Sequence, residues 1–154
     1  MIQRVQSLYW LGAVVCLSFL NFGLNLFEFK IKKSNYEFDF FSLTEFVNGK
    51  VVNSQSEFHV IFSITIFVLI VVAIFSYKNL KRQLKLSQTI SFFTFMLFIE
   101  ITAFGYGGLL LKNAESIIPS LGYYLLPIIF ILNFLAQKGV KKDKKLLDSV
   151  DRIR

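Results

Sequence analysis

The sequence predicts an all-α membrane protein: a four-transmembrane-helix bundle with a small extracytoplasmic β-hairpin loop and a cytoplasmic C-terminal amphipathic helix, forming a single domain over residues 1–154. Three observations carry that expectation. Four apolar stretches, 8–27, 58–77, 89–111 and 117–136, each hold about the 20 residues that a helix needs to cross a hydrocarbon layer of roughly 30 Å. Only helices or closed barrels satisfy every backbone donor and acceptor there, and these stretches lack the short alternating segments of a barrel. Basic residues, finally, gather in alternate connecting segments. With both termini placed in the cytoplasm, the inner segments hold 12 of the 17 Lys and Arg, and the outer segments hold five beside most of the acids. That bias sets orientation and accounts for the net charge of +7 without a nucleic-acid partner. The lipid bilayer and a membrane or cytoplasmic protein are the partners expected.

The first helix, 8–27, follows Arg4 and lacks a small-residue cleavage pattern, so it is expected to be retained. Its Cys16 is the chain's single thiol, preceded by Val15 where lipoprotein processing needs a small residue. One thiol builds neither a disulfide nor a multi-ligand metal site, and no cofactor motif is present.

The outer segment 28–57 changes period. Phe27, Phe29 and Ile31 alternate with Glu28 and Lys30, and Tyr36, Phe38 and Phe40 alternate with Glu37 and Asp39, which is the pattern of half-buried strands. Lys33, Ser34 and Asn35 supply one turn, and Asn48-Gly49 suits a second, type I′ hairpin. A two-stranded ribbon is marginal alone, so its aromatic face must rest on helix ends, on the membrane surface or on another protein.

His59, the only histidine, opens the second helix beside Glu57 and reads as an interfacial anchor. The basic link 78–87 makes helices two and three antiparallel neighbours, and the shorter link near 112–116 does the same for helices three and four. Pro119 falls in the expected first turn of helix four, whereas Pro127 lies mid-span and should kink it. Beyond Ala136 the chain turns charged, yet Leu146, Val150 and Ile153 repeat at i, i+4 and i+7. That stripe asks for a cytoplasmic partner or the membrane surface.

One residue asks for chemistry. Glu100 falls near the centre of the third stretch, where a carboxylate costs a few kcal/mol (about 2.5–3.5 on the most lenient scale) unless it is paired or neutral. Ala103 and Gly107 share its helix face, and Gly108 adjoins them, so a neighbouring helix can approach closely. Ser18, Asn21 and Asn25 on the first helix and Ser63 and Thr65 on the second are candidate hydrogen-bond partners. Three roles stay open: an interhelical anchor, a contact to a partner's cation, and a proton or cation relay.

The opening Met1-Ile2-Gln3-Arg4-Val5-Gln6-Ser7-Leu8-Tyr9 and the closing Lys142-Asp143-Lys144-Lys145-Leu146-Leu147-Asp148-Ser149-Val150-Asp151-Arg152-Ile153-Arg154 resemble an uncharacterised family of short four-helix bacterial inner-membrane proteins, a domain of unknown function. The resemblance implies a multi-pass protein of the bacterial cytoplasmic (inner) membrane and brings no activity, cofactor or catalytic residue. Arg4, Leu146, Val150, Asp151 and Arg152 then form one candidate cytoplasmic interaction surface. With no phosphate loop, activated nucleophile or paired acids, a non-enzymatic accessory or scaffold subunit is the leading expectation. A small proton-linked transporter or channel-like protein centred on Glu100 is the alternative.

Overall fold

The computed structural model describes residues 3–31, 34–47, 50–56, 59–112 and 116–151, with side chains over 5–31, 34–47, 50–54, 59–107 and 116–149. Elements run in the order α1 (Gln3–Asn21), β1 (Phe27–Ile31), β2 (Ser34–Phe38), β3 (Ser42–Val47), β4 (Lys50–Ser56), α2 (His59–Phe75), α3 (Leu80–Lys112), β5 (Ser116–Pro119) and α4 (Leu121–Asp151). Four helices and a five-stranded antiparallel sheet in the order β4-β3-β2-β1-β5 replace the expected all-α architecture. Among the described residues only α3 and α4 are long and apolar enough to cross a membrane, so the four-transmembrane-helix expectation is corrected. α1 and α2 are shorter apolar helices.

Local chemistry explains where the helices stop. Apolar residues continue past Asn21, which extends the hydropathic stretch to Phe27. The helix nonetheless ends where the Phe22 amide closes a last turn onto the Ser18 carbonyl (3.0 Å) and Gly23 takes φ +88°, the left-handed conformation that terminates helices. At the next start, Asn79 caps α3: its Oδ1 accepts the Arg82 amide at 3.1 Å. The basic segment taken for a loop is therefore mostly the first two turns of a 33-residue helix, about 50 Å long at 1.5 Å per residue. α4 likewise absorbs the tail into one 31-residue helix that carries Pro127 within it.

Strand β5 was hidden inside an apolar run. It pairs antiparallel with β1, Phe29 against Ile117 and Phe27 against Pro119, so Pro119 ends an edge strand, where a missing N–H is tolerated, and does not open a helix. The turn expected over Lys33 to Asn35 is tighter, because Ser34 and Asn35 already pair with Ile31 and Lys30. Asn48-Gly49 lies outside the described residues, flanked by the Val47 and Lys50 pair that closes the β3–β4 hairpin.

The sheet covers one end of the helices. Phe27, Phe29, Phe38, Phe40 and Leu43 are buried beneath it. Phe27 meets Tyr123 at a 4.9 Å ring separation and Tyr106 at 5.5 Å, and its ring lies so close to Gly105 that a Cβ there would sit 2.5 Å from Cε2. Gly122 is constrained in the same way, by the Asn25 carbonyl oxygen 2.6 Å from where a Cβ would stand. Helix α1 packs most extensively on α4, α4 on α3 and α3 on α2, an up-down-up-down ring whose core holds Leu17, Ile66, Ile70, Leu97 and Ile129.

Candidate functional site

Because α2 leaves the sheet and α3 returns to it, the first residue of α2 lies level with the later turns of α3. His59 is buried, at 3% exposure, and its Nδ1 stands 3.3 Å from Oε1 of Glu100. The approach is an ion-pair distance when the imidazole is protonated, and neither ring nitrogen has a hydrogen-bond partner among the described residues. Phe38 of the sheet and Phe104 of α3 meet the imidazole edge-on at 5.4 and 5.5 Å. Glu100 itself is 40% exposed. The carboxylate therefore sits at the junction of sheet and bundle, beside a basic side chain that the sequence reading did not place at that level.

The other polar candidates divide. Asn21 donates to Ser63 Oγ at 2.6 Å and to the Leu17 carbonyl, tying α1 to α2 near the same end. Ser18 and Thr65 turn back to the Val14 and Ile61 carbonyls of their own helices. None of the three bonds Glu100. Two further polar links fasten the sheet at this end: Asn25 donates to Glu37 at 3.2 Å, and Ser120 donates to Glu28 at 3.0 Å. Ala103 is exposed and Gly107 has open space where a Cβ would be, so the close approach on α3 occurs at Gly105. The side chain at Gly108 lies outside the described residues.

A second polar cluster, which the sequence reading missed, lies in the sheet-distal half. Asn133 of α4 accepts Trp10 Nε1 (2.9 Å) and Ser87 Oγ (3.1 Å) at its Oδ1. Its Nδ2 donates to the Ser87 carbonyl (2.9 Å) and to Ser91 Oγ (2.7 Å). Both acceptor sites and both donors of one amide are thus used, joining α1, α3 and α4. The signal was present as a lone Asn in an apolar run, the same anomaly that singled out Glu100.

Nearer the α1 start, Gln6 donates to Asp143 at 2.6 Å across the α1–α4 seam, over Gly139, where a Cβ would meet Gln6 Cγ at 2.7 Å. Ala136, Val140 and Asp143 are buried on this face of α4, and Leu147 continues it at the next i+4 step yet is 55% exposed, with Leu146 at 48%. Of the remaining cytoplasmic candidates, Arg4, Val150 and Asp151 lie on described helices but their side chains are outside the described residues, as is Arg152 altogether.

Among the described residues no three His, Cys, Asp or Glu side chains gather as a metal-holding group. No curated protein matches the chain at a significant level. The family model described as "Domain of unknown function (DUF4293)" matches residues 2–153, and the chain belongs to that family.

Proposed function

We propose that this protein is a non-enzymatic accessory or scaffold subunit of a complex in the bacterial cytoplasmic membrane, with its sheet on the outer side and the end of α4 on the cytoplasmic side. The observation that carries the subunit reading is the α4 face just described. A stripe buried against α1 through Ala136, Val140 and Asp143 runs on into exposed Leu147 among Lys141, Lys142, Lys144 and Lys145. A solvated helix end has no need of that stripe, whereas a docked partner does. Membrane placement is supported by the apolar windows of α3 and α4, which are only 28% and 33% buried within the protein, leaving side chains such as Phe92, Phe95, Ile128 and Ile131 facing outward. Water does not favour such a surface.

The test is isolation of the tagged protein from native membranes in mild detergent, beside a Leu147→Asp variant. A stoichiometric partner that is retained by the parent and lost from the variant supports the reading. A protein that comes alone overturns it, and a partner held equally by both moves the docking site away from α4.

The His59–Glu100 pair favours a second reading, a small proton-linked transporter, since an imidazole and a carboxylate 3.3 Å apart can exchange a proton. Against it stand the fully buried Ile66, Ile70, Leu97 and Ile101 in the bundle interior. Flux driven by a pH gradient in liposomes, abolished by Glu100→Gln with folding intact, would establish that reading in place of the first.

A further inference from the structure

Between α3 and α4 the outer surface of the bundle opens into a groove of about 200 Å³, lined by Thr94, Phe95, Phe98, Leu126, Pro127 and Phe130. Thr94 and Leu126 form its buried floor, at 1% and 0% exposure, while Phe95 and Phe130 stand at its mouth, 50% and 37% exposed with ring centroids 6.4 Å apart. The one hydroxyl in the groove is already spent, because Thr94 Oγ1 donates to the Ile90 carbonyl at 2.8 Å. No side chain there selects a polar ligand. The volume is below the roughly 300 Å³ at which pockets for compact small molecules begin, so the occupant is thin as well as apolar.

Toward the sheet, Thr102 and the Tyr123 hydroxyl meet at 3.2 Å, with Tyr124 and Tyr106 exposed nearby. Tyrosines of this kind mark the level where headgroups begin. Thr94 lies eight residues below Thr102 on α3, about 12 Å deeper at 1.5 Å per residue. A chain that enters beneath the tyrosines on the sheet side and runs down past Pro127 reaches the floor of the groove within the hydrocarbon layer.

We propose that this groove binds one acyl chain of a phospholipid from the leaflet on the sheet side. The proposal rests on the membrane reading above and adds a defined lipid site to it. Phe95, Phe98 and Phe130 wall the chain, and Pro127 contributes an apolar ring with no N–H to satisfy.

The experiment reconstitutes the full chain in bilayers containing a phospholipid with a diazirine midway along one acyl chain, then maps photo-adducts by peptide mass spectrometry. Adducts are expected several-fold more often on Phe95, Phe98 and Phe130 than on Phe92, Ile99 and Phe134, which are exposed on the same two helices outside the groove. Thr94→Phe, which fills the floor, should lower the groove adducts to the level of those flanks while Val15 and Phe67 label as before. Equal labelling of groove and flanks overturns the proposal, as does groove labelling that Thr94→Phe leaves unchanged. Labelling everywhere except the groove also overturns it and indicates that a second copy or another protein covers that face. Absence of adducts from every helix overturns the membrane reading itself. The contrast between positions in the parent protein decides the matter even where Thr94→Phe does not fold.

Discussion

Replacing Asn133 by Ala should destabilise the helix bundle more than any other single change to a polar side chain. The amide makes four hydrogen bonds to two other helices, α1 and α3, and both its own exposure and that of Trp10 are 0%. Truncation orphans the Trp10 N–H and the Ser87 hydroxyl, which donate to Oδ1, and leaves the Ser87 carbonyl and Ser91 Oγ without their side-chain donor. At about 0.5–1.5 kcal/mol net per bond in water the loss is about 2–6 kcal/mol, and at about 0.6 kcal/mol each in a bilayer it is about 2.4 kcal/mol. Trp10 is the chain's single tryptophan, so its emission reports the cluster directly. In a denaturing-detergent titration the Asn133→Ala midpoint should fall by the equivalent of roughly two decades in folding constant, and emission should shift even before unfolding. A cycle with Trp10→Phe, followed by circular dichroism, should recover about 1 kcal/mol of coupling. A variant that unfolds within about 0.5 kcal/mol of the parent, or a cycle with no coupling, refutes the bridging role.

Other perturbations test the junction with the sheet. Gly105→Ala places a Cβ 2.5 Å from the Phe27 ring, which Tyr106, Tyr123 and Phe38 hold in place; it should cost about 1–3 kcal/mol and speed amide exchange in β1 without affecting the Asn133 cluster. Glu100→Gln should change thermal stability by less than about 1 kcal/mol, because the carboxylate is 40% exposed and its ion pair is screened. His59→Phe should be neutral or stabilising, since it keeps the edge contacts with Phe38 and Phe104 while removing two buried nitrogens that have no hydrogen-bond partner among the described residues; a loss above about 2 kcal/mol would contradict that account. Tyr36 is held above its ordinary value of 10.0 by burial first, then by the hydrogen bond and charge of Glu45. The raised value favours the neutral phenol in the folded state, so its contribution is present below that ordinary value and is lost as pH rises through the raised one. Glu45→Gln should bring the Tyr36 ring-carbon titration, followed by NMR, back toward 10.0.

The inner face of the sheet was legible in its phenylalanines, while Ile31 and Tyr36 on the same side are only half-buried. Phe27, Phe29 and Phe38 alternate with charge, and burial follows the alternation because side chains on a strand point to opposite faces. Strand β5 was not legible: four residues within an apolar run carry too little period, and only pairing with β1 turns Ile117 and Ile118 to opposite sides. Helix ends had local signals in Gly23 and Asn79, which the hydropathy of their neighbours outweighed. In the candidate site, Glu100 was conspicuous as a charge among apolar residues, but its partner required the register of α2 against α3. Asn133 and its serines needed three helices to be placed at once, and no linear spacing reports that.

Register also changes what Glu100 means. With the third stretch taken from residue 89, the carboxylate falls at mid-depth and must be neutral or paired to exist there. The helix begins nine residues earlier, at Leu80, so Glu100 lies 20 residues from its start, about 30 Å along the axis and equal to a whole hydrocarbon layer. Glu100 thus lies in the sheet-side half of α3, 40% exposed, with His59 of the first turn of α2 as its neighbour. What remains is an acid and an imidazole placed where the sheet meets the helices, next to Phe38, whose burial holds that contact closed.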